Sequence, residues 1–150
     1  TLYQLFNGIF DEEKLRWNEG TPNFELIQRF YDEMNEDENL KPKTKATAIQ
    51  IGKPSNVAKG LRALEFTNGI VEEVTDKEML DGMSVVGLNG FDCEMASGAS
   101  VAGIKKLRDK GVIKKDDKVV GILTGRQKEP LLPIDYHNDP SNKFARPPKI

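Results

Sequence analysis

Two short segments hold most of the residues whose types and spacing could do chemistry. The first is Thr124-Gly125, which ends the apolar run Lys118-Val119-Val120-Gly121-Ile122-Leu123. A buried strand that emerges as Thr-Gly leaves a hydroxyl facing a crevice, beside a residue whose bare backbone lets a flat ring come close. The same hydroxyl can equally be satisfied by local backbone. The second segment is Cys93-Glu94-Met95-Ala96-Ser97-Gly98-Ala99-Ser100. Its small residues open a helix, where they suit either tight packing or an anion near free amides. His137 belongs to no acid-base constellation and reads as a surface or packing residue. Cys93 has no paired base and reads as a small buried hydrophobe. There is no Gly-Lys phosphate loop and no Gly-x-Gly-x-x-Gly turn. With one His and one Cys in 150 residues, a four-ligand zinc site is not expected.

The elements that must position these residues follow from periodicity. Phe24, Ile27, Phe30, Tyr31 and Met34 recur at helical spacing and predict an amphipathic helix over 23–37. The acids that crowd its end, Glu36 to Glu38, oppose the helix dipole and predict fraying there. A basic linker broken by Pro42 leads to a short strand at Thr47–Ile51. Ser55 can cap a helix that buries Val57, Leu61 and Leu64. After Asn68-Gly69, the β-branched run Ile70–Val74 predicts a half-buried strand. Thr75-Asp76-Lys77-Glu78 fits a capping box that opens a helix carrying Met79, Leu80, Met83 and Val86 and ending at Asn89-Gly90. A further helix from Ser97 to Lys110, with Gly111 as its C-terminal cap, precedes the strand 118–124. Alternation of helix and strand from about 47 to 124 predicts an α/β fold with parallel strands, whose ligands sit beyond the carboxyl ends of those strands. Residues 126–150 hold five of the eight prolines and predict an extended tail.

Composition bounds the function. With 22 basic and 24 acidic residues and no basic block, the chain offers no electrostatic footprint for nucleic acid or an anionic membrane. No apolar run of membrane-spanning length and no signal leader is seen, so a cytoplasmic protein is expected. Charge is uneven, however: residues 11–38 carry ten acids against three bases. The chain also opens on Thr1 within an apolar, helix-like run, as the middle of a longer chain would, or one shortened at its start.

Four motifs occur in order: Thr47-Ala48-Ile49-Gln50-Ile51-Gly52-Lys53-Pro54, Cys93 through Gly103, Gly111 through Asp117, and Val119 through Gly125. Together they resemble the C-terminal part of the threonine synthases, over at least 46–130. The resemblance implies a pyridoxal 5'-phosphate enzyme of fold type II, the tryptophan-synthase-β type. The 150 residues would divide into an N-terminal helical segment with linker (1–45), the C-terminal part of the cofactor-binding α/β domain (46–130) and an extended tail (131–150). The reaction implied converts O-phospho-L-homoserine and water to L-threonine and phosphate. Thr124, with Gly125 beside it, matches the residue that hydrogen-bonds the pyridine nitrogen of the cofactor, and Glu94, Ser97, Thr47 and Ala48 match positions that line the pocket. A neutral hydroxyl at the ring nitrogen moderates the cofactor as an electron sink.

Two departures from the family pattern stand out: Met95 in place of a Pro, which should loosen a turn, and Arg126 after Thr-Gly, which should put a cation near the pocket. The Schiff-base lysine and the Gly-rich phosphate cup of the family lie upstream of every matched segment, so this polypeptide alone is expected to be inactive and to need the remainder of the enzyme chain. An unpaired sheet edge would then favour oligomers. Other fold type II enzymes, such as a threonine dehydratase or a cysteate synthase, and a non-catalytic binding module derived from one, remain alternatives.

Overall fold

The computed structural model describes residues 2–9, 17–18 and 21–126. The tail 131–150, with His137, lies outside the described residues. A short helical run, Leu2–Gln4 continued as Leu5–Ile9, precedes the two-residue antiparallel ladder of β1 (Trp17–Asn18) and β2 (Thr21–Pro22). Four longer helices follow: α1 (Phe24–Glu36), α2 (Val57–Thr67), α3 (Asp76–Leu88) and α4 (Met95–Asp109).

Helix α1 forms as its periodicity predicts. Asn23 caps it by accepting the Leu26 amide at 3.2 Å. Its apolar stripe of Ile27, Phe30, Tyr31 and Met34 packs with Leu5, Phe6 and Leu61 in a first core cluster. Helix α2 begins on Asn56, whose side chain makes no capping bond, so the expected Ser55 cap is not used. It ends on Asn68 in the left-handed conformation (φ 49°), and the Gly69 amide donates back to the Leu64 carbonyl at 2.7 Å.

The capping box at α3 is present in full. The Glu78 amide donates to Thr75 Oγ1 at 3.2 Å, and the Thr75 amide donates to the Glu78 carboxylate at 2.6 Å. Helices α3 and α4 then pack against one another more extensively than any other pair of described elements. Gly82 and Gly98 sit at their crossing. A Cβ on Gly82 would lie 2.5 Å from the Gly98 carbonyl oxygen, and one on Gly98 would run into the Met79 carbonyl and stand 3.1 Å from the Met83 amide. Backbone meets backbone here, which no larger residue permits. Each helix of this hairpin ends on a glycine of positive φ, Gly90 (82°) and Gly111 (73°), followed by an amide that reaches back five residues, Phe91 to Val86 and Val112 to Leu107.

Three expected strands do not form. Thr47–Ile49 is a single 3-10 turn, and segments 70–74 and 118–124 have no regular secondary structure. The expected parallel sheet is therefore not seen among the described residues. The physical reason is that β-branched sequence only prefers a pleated, half-buried surface, and a ladder needs a neighbour to pair with. No described segment supplies one at these positions. Instead, residues 70–74 bridge two clusters: Val71 packs on the first, and Val74 on a second formed by Ala46, Met79 and Met95. Side chains tether this bridge. Asn7 Nδ2 donates to the Val71 carbonyl, Lys106 Nζ to the Glu73 carbonyl at 2.7 Å, and Lys110 pairs with the largely covered Glu72 carboxylate.

The glycines separate packing from propensity. Gly98→Ala is expected to destabilise by about 1–3 kcal/mol through overpacking. Gly103→Ala, on the same helix with nothing within 4 Å of its added Cβ, is expected to stabilise by up to about 1 kcal/mol. Urea denaturation of the two variants checks both signs.

Acid stability follows from the tethers. The Lys110 hydrogen bond holds the Glu72 carboxyl below the usual range, and the Thr75 amide and hydroxyl do the same for Glu78. Both contributions are present above the ordinary glutamate range and lost as pH falls through the lowered folded values. The same hydrogen bond raises Lys110, whose contribution is lost as pH rises through its folded value, so Glu72→Gln is expected to flatten both the acid and the alkaline limbs of a stability-against-pH curve.

Candidate functional site

The two segments singled out by their chemistry meet in space. Ser97, on the first turn of α4, is 1% exposed and faces the 124–125 segment. Its hydroxyl accepts the Gly125 amide at 3.0 Å and lies 3.2 Å from Thr124 Oγ1 and 3.3 Å from the Gly125 carbonyl oxygen. That carbonyl also accepts the Glu94 amide at 3.0 Å. Thr124 and Gly125 are thus pinned to the start of α4 through both the amide and the carbonyl of Gly125. The Thr124 side chain faces solvent, whereas Ser97 is buried beneath it.

Glu94 stands just before α4, its carbonyl accepting the Ser97 and Gly98 amides while its side chain makes no capping bond. Its carboxyl group lies over Gly125, where a Cβ would come within 2.7 Å of Glu94 Cδ. The glycine therefore accommodates the Glu94 side chain, rather than leaving open space above the backbone. Thr47 and Ala48 occupy the 3-10 turn that contacts α4, both exposed. The turn is held by Asp76 at the start of α3, whose carboxylate accepts the Thr44 hydroxyl at 2.5 Å and the Lys45 amide at 3.0 Å. Ala46 anchors it from below, buried against Met79 and Met95.

Both departures from the family pattern acquire a structural account. Met95 is the first residue of α4, a position where proline is favoured, but its side chain is buried in the second cluster. It anchors the helix start where a loosened turn was expected. Arg126 Nε lies 3.5 Å from Asp92 Oδ2 at the surface, so the expected cation has an exposed acidic partner.

Cys93 is buried, and burial pushes its thiol up from the ordinary value, with the Asp92 and Glu94 charges acting in the same direction. It is a packing residue, as its isolation in sequence implied. Sequence reasoning placed Ser97 in the pocket by resemblance alone and missed its part as the link between the two segments. Nothing local could have revealed it, since the bond spans 27 residues. Among the described residues, no group of three His, Cys, Asp or Glu side chains could hold a metal ion, and no helix is long and apolar enough to cross a membrane.

Comparison with known proteins agrees with the motifs. A family model for pyridoxal-phosphate dependent enzymes matches residues 20–125. The threonine synthase of Methanosarcina acetivorans is 46% identical over 102 residues, which cover 67% of this chain and 25% of that protein. The threonine synthase of Methanocaldococcus jannaschii is 40% identical over 101 residues, 66% of this chain and 25% of its own length. Threonine synthase 2, chloroplastic, of Arabidopsis thaliana is 36% identical over 110 residues, 70% of this chain and 21% of its own. The chain spans about a quarter of the length of the curated relatives it matches.

The burial and raised pKa of Cys93 give a direct expectation. At neutral pH its alkylation by iodoacetamide, followed by mass spectrometry, should be at least about tenfold slower than in urea-unfolded protein, because only the thiolate reacts.

Proposed function

This chain belongs to the family of pyridoxal-phosphate dependent enzymes, and we propose that it is the C-terminal part of a threonine synthase, forming the wall of the cofactor site that meets the pyridine nitrogen. The observation that carries this reading is the junction of Ser97, Thr124, Gly125 and Glu94. It joins two of the family motifs through a buried hydroxyl and sets the hydroxyl of Thr124, an exposed residue, against it.

The donor set fits one edge of the cofactor. A neutral hydroxyl suits a pyridine nitrogen, whereas a carboxylate partner would favour the protonated ring and a cation would repel it. The nearest cation by sequence, Arg126, has Asp92 beside it. Thr124 would hold the ring nitrogen, with Gly125 as the bare backbone next to it. Glu94, Ser97, Thr47 and Ala48 would line the pocket. When bound, pyridoxal 5'-phosphate would supply an electron sink for carbon–oxygen bond cleavage in O-phospho-L-homoserine and the addition of water, giving L-threonine and phosphate. This chain's own share is orientation: a fixed hydroxyl at the ring nitrogen and a helix start that shapes the pocket floor.

The lysine that carries the cofactor and the Gly-rich phosphate cup have no counterpart among these 150 residues. The chain by itself is then inactive, and its partner is the remainder of the same enzyme chain. Support comes from large apolar side chains left in solvent, Phe66 at 92% and Val120 at 88% exposure, with Leu88, Phe91 and Ile122 also exposed. Several large apolar side chains so exposed are what a chain that is covered by further protein would show. Residues 1–45, 46–130 and 131–150 would then be helical segment, cofactor-domain part and tail of one cytoplasmic enzyme, free to form a homo-oligomer.

The test is phosphate release. The full-length enzyme should liberate inorganic phosphate from O-phospho-L-homoserine with pyridoxal 5'-phosphate bound, and the 150-residue chain alone should liberate none. Thr124→Val in the full-length protein should weaken cofactor binding by about two- to tenfold, the value of one hydrogen bond. Deamination of threonine without phosphate release would transfer the site to a dehydratase. A native mass spectrum showing a stable 150-residue monomer as the natural form, with no cofactor retained, would sink the enzyme reading.

A further inference from the structure

We propose that Ser97 is a positioning residue whose buried hydroxyl donates its one proton to Thr124 Oγ1 and so leaves the Thr124 proton free to be donated outward, to a ring nitrogen that carries no proton. This rests on the reading of the site given above.

The argument is a count of protons and lone pairs. A serine hydroxyl has one proton and two acceptor positions. Ser97 Oγ uses one acceptor position on the Gly125 amide at 3.0 Å. At 1% exposure its proton has no access to water and must find a protein acceptor. Two stand in reach, Thr124 Oγ1 at 3.2 Å and the Gly125 carbonyl oxygen at 3.3 Å. The carbonyl already accepts the Glu94 amide at 3.0 Å. Thr124 Oγ1 is the nearer of the two, and no other donor to it is seen among the described residues. A proton placed there occupies the side of Thr124 Oγ1 that faces the protein. The Thr124 proton is then left for what lies outside, and it can be donated only to an acceptor.

The opposite arrangement has a different consequence. Were Thr124 to donate to Ser97 and Ser97 to the Gly125 carbonyl, Thr124 would offer a lone pair outward and select a protonated ring. Ser97 therefore decides whether Thr124 has a proton to offer the ring nitrogen, without touching the cofactor. The Gly125 amide bond fixes Ser97 itself, so the hydroxyl cannot turn freely.

The experiment uses the full-length enzyme loaded with pyridoxal 5'-phosphate labelled with nitrogen-15 in the ring, read by its ring-nitrogen resonance and by cofactor affinity from fluorescence titration. In the unmodified enzyme the resonance should be that of an unprotonated, hydrogen-bonded nitrogen. Ser97→Ala should move the resonance in the same direction as Thr124→Val and weaken affinity by about two- to tenfold. Ser97→Thr, which keeps the hydroxyl, should restore the resonance, an outcome that a purely structural role would not give. Should Ser97→Ala unfold the protein, the resonance of the unmodified enzyme and of Ser97→Thr still decides. A protonated ring nitrogen in the unmodified enzyme overturns the proposal, as does a resonance unmoved in Ser97→Ala but moved in Thr124→Val. If Thr124→Val moves neither readout, the site reading itself falls and takes this inference with it.

Discussion

Everything at the candidate site depends on the backbone contact of Gly82 with Gly98. Because neither residue has a side chain, α3 and α4 approach until carbonyl and Cα surfaces touch. That proximity fixes the rotation of α4 about its own axis. Gly98 must face α3, so Ser97, one residue earlier and about 100° around the helix, must face elsewhere. It faces the 124–125 segment, and the hydrogen bonds that gather Thr124, Gly125 and Glu94 follow from that single orientation. The Gly90 turn at one end of the pair, and the capping box of α3 with the Gly111 turn at the other, hold it at both ends.

The second constraint is electrostatic and lies on the opposite side of the hairpin. Lys106 and Lys110, near the end of α4 where the dipole favours cations, converge on Glu72. Lys106 also satisfies the Glu73 carbonyl. An irregular segment thereby gains the polar partners that a strand would have found in a ladder. The exposed pairs Lys77–Asp81 and Lys105–Asp109 join neighbours on one helix and organise nothing beyond it.

Much of this was legible in the sequence, and the pattern of success is physical. Helix α1, the Thr75–Glu78 capping box and the helix ends at Gly90 and Gly111 depend on residues within a turn or two of one another, and each stands where spacing placed it. The family and its cofactor were also readable, because motif order is kept in a chain that spans about a quarter of its relatives' length. The strands at 47–51, 70–74 and 118–124 failed for the converse reason. A strand is a property of pairs, and its partners are not among the described residues. Ser55 lost the cap position to Asn56, a one-residue shift between two residues suited to the same task. The Ser97 link lay beyond local reasoning, although the run of small residues around it marked a place where something must come close.

Ser97 and Gly98 also tie the site to the history of the fold within a single molecule. The α3–α4 hairpin is closed by the short connection from Asn89 to Glu94, so its contacts cost little chain entropy to assemble. Local contacts of this kind form on the fast end of the folding timescale, whereas the bond from Ser97 to the 124–125 segment closes a longer loop. Assembly therefore has a natural sequence, with the helical hairpin as a template already in place when Thr124 arrives. A substitution at Gly82 or Gly98 would therefore disturb the template on which Thr124 docks.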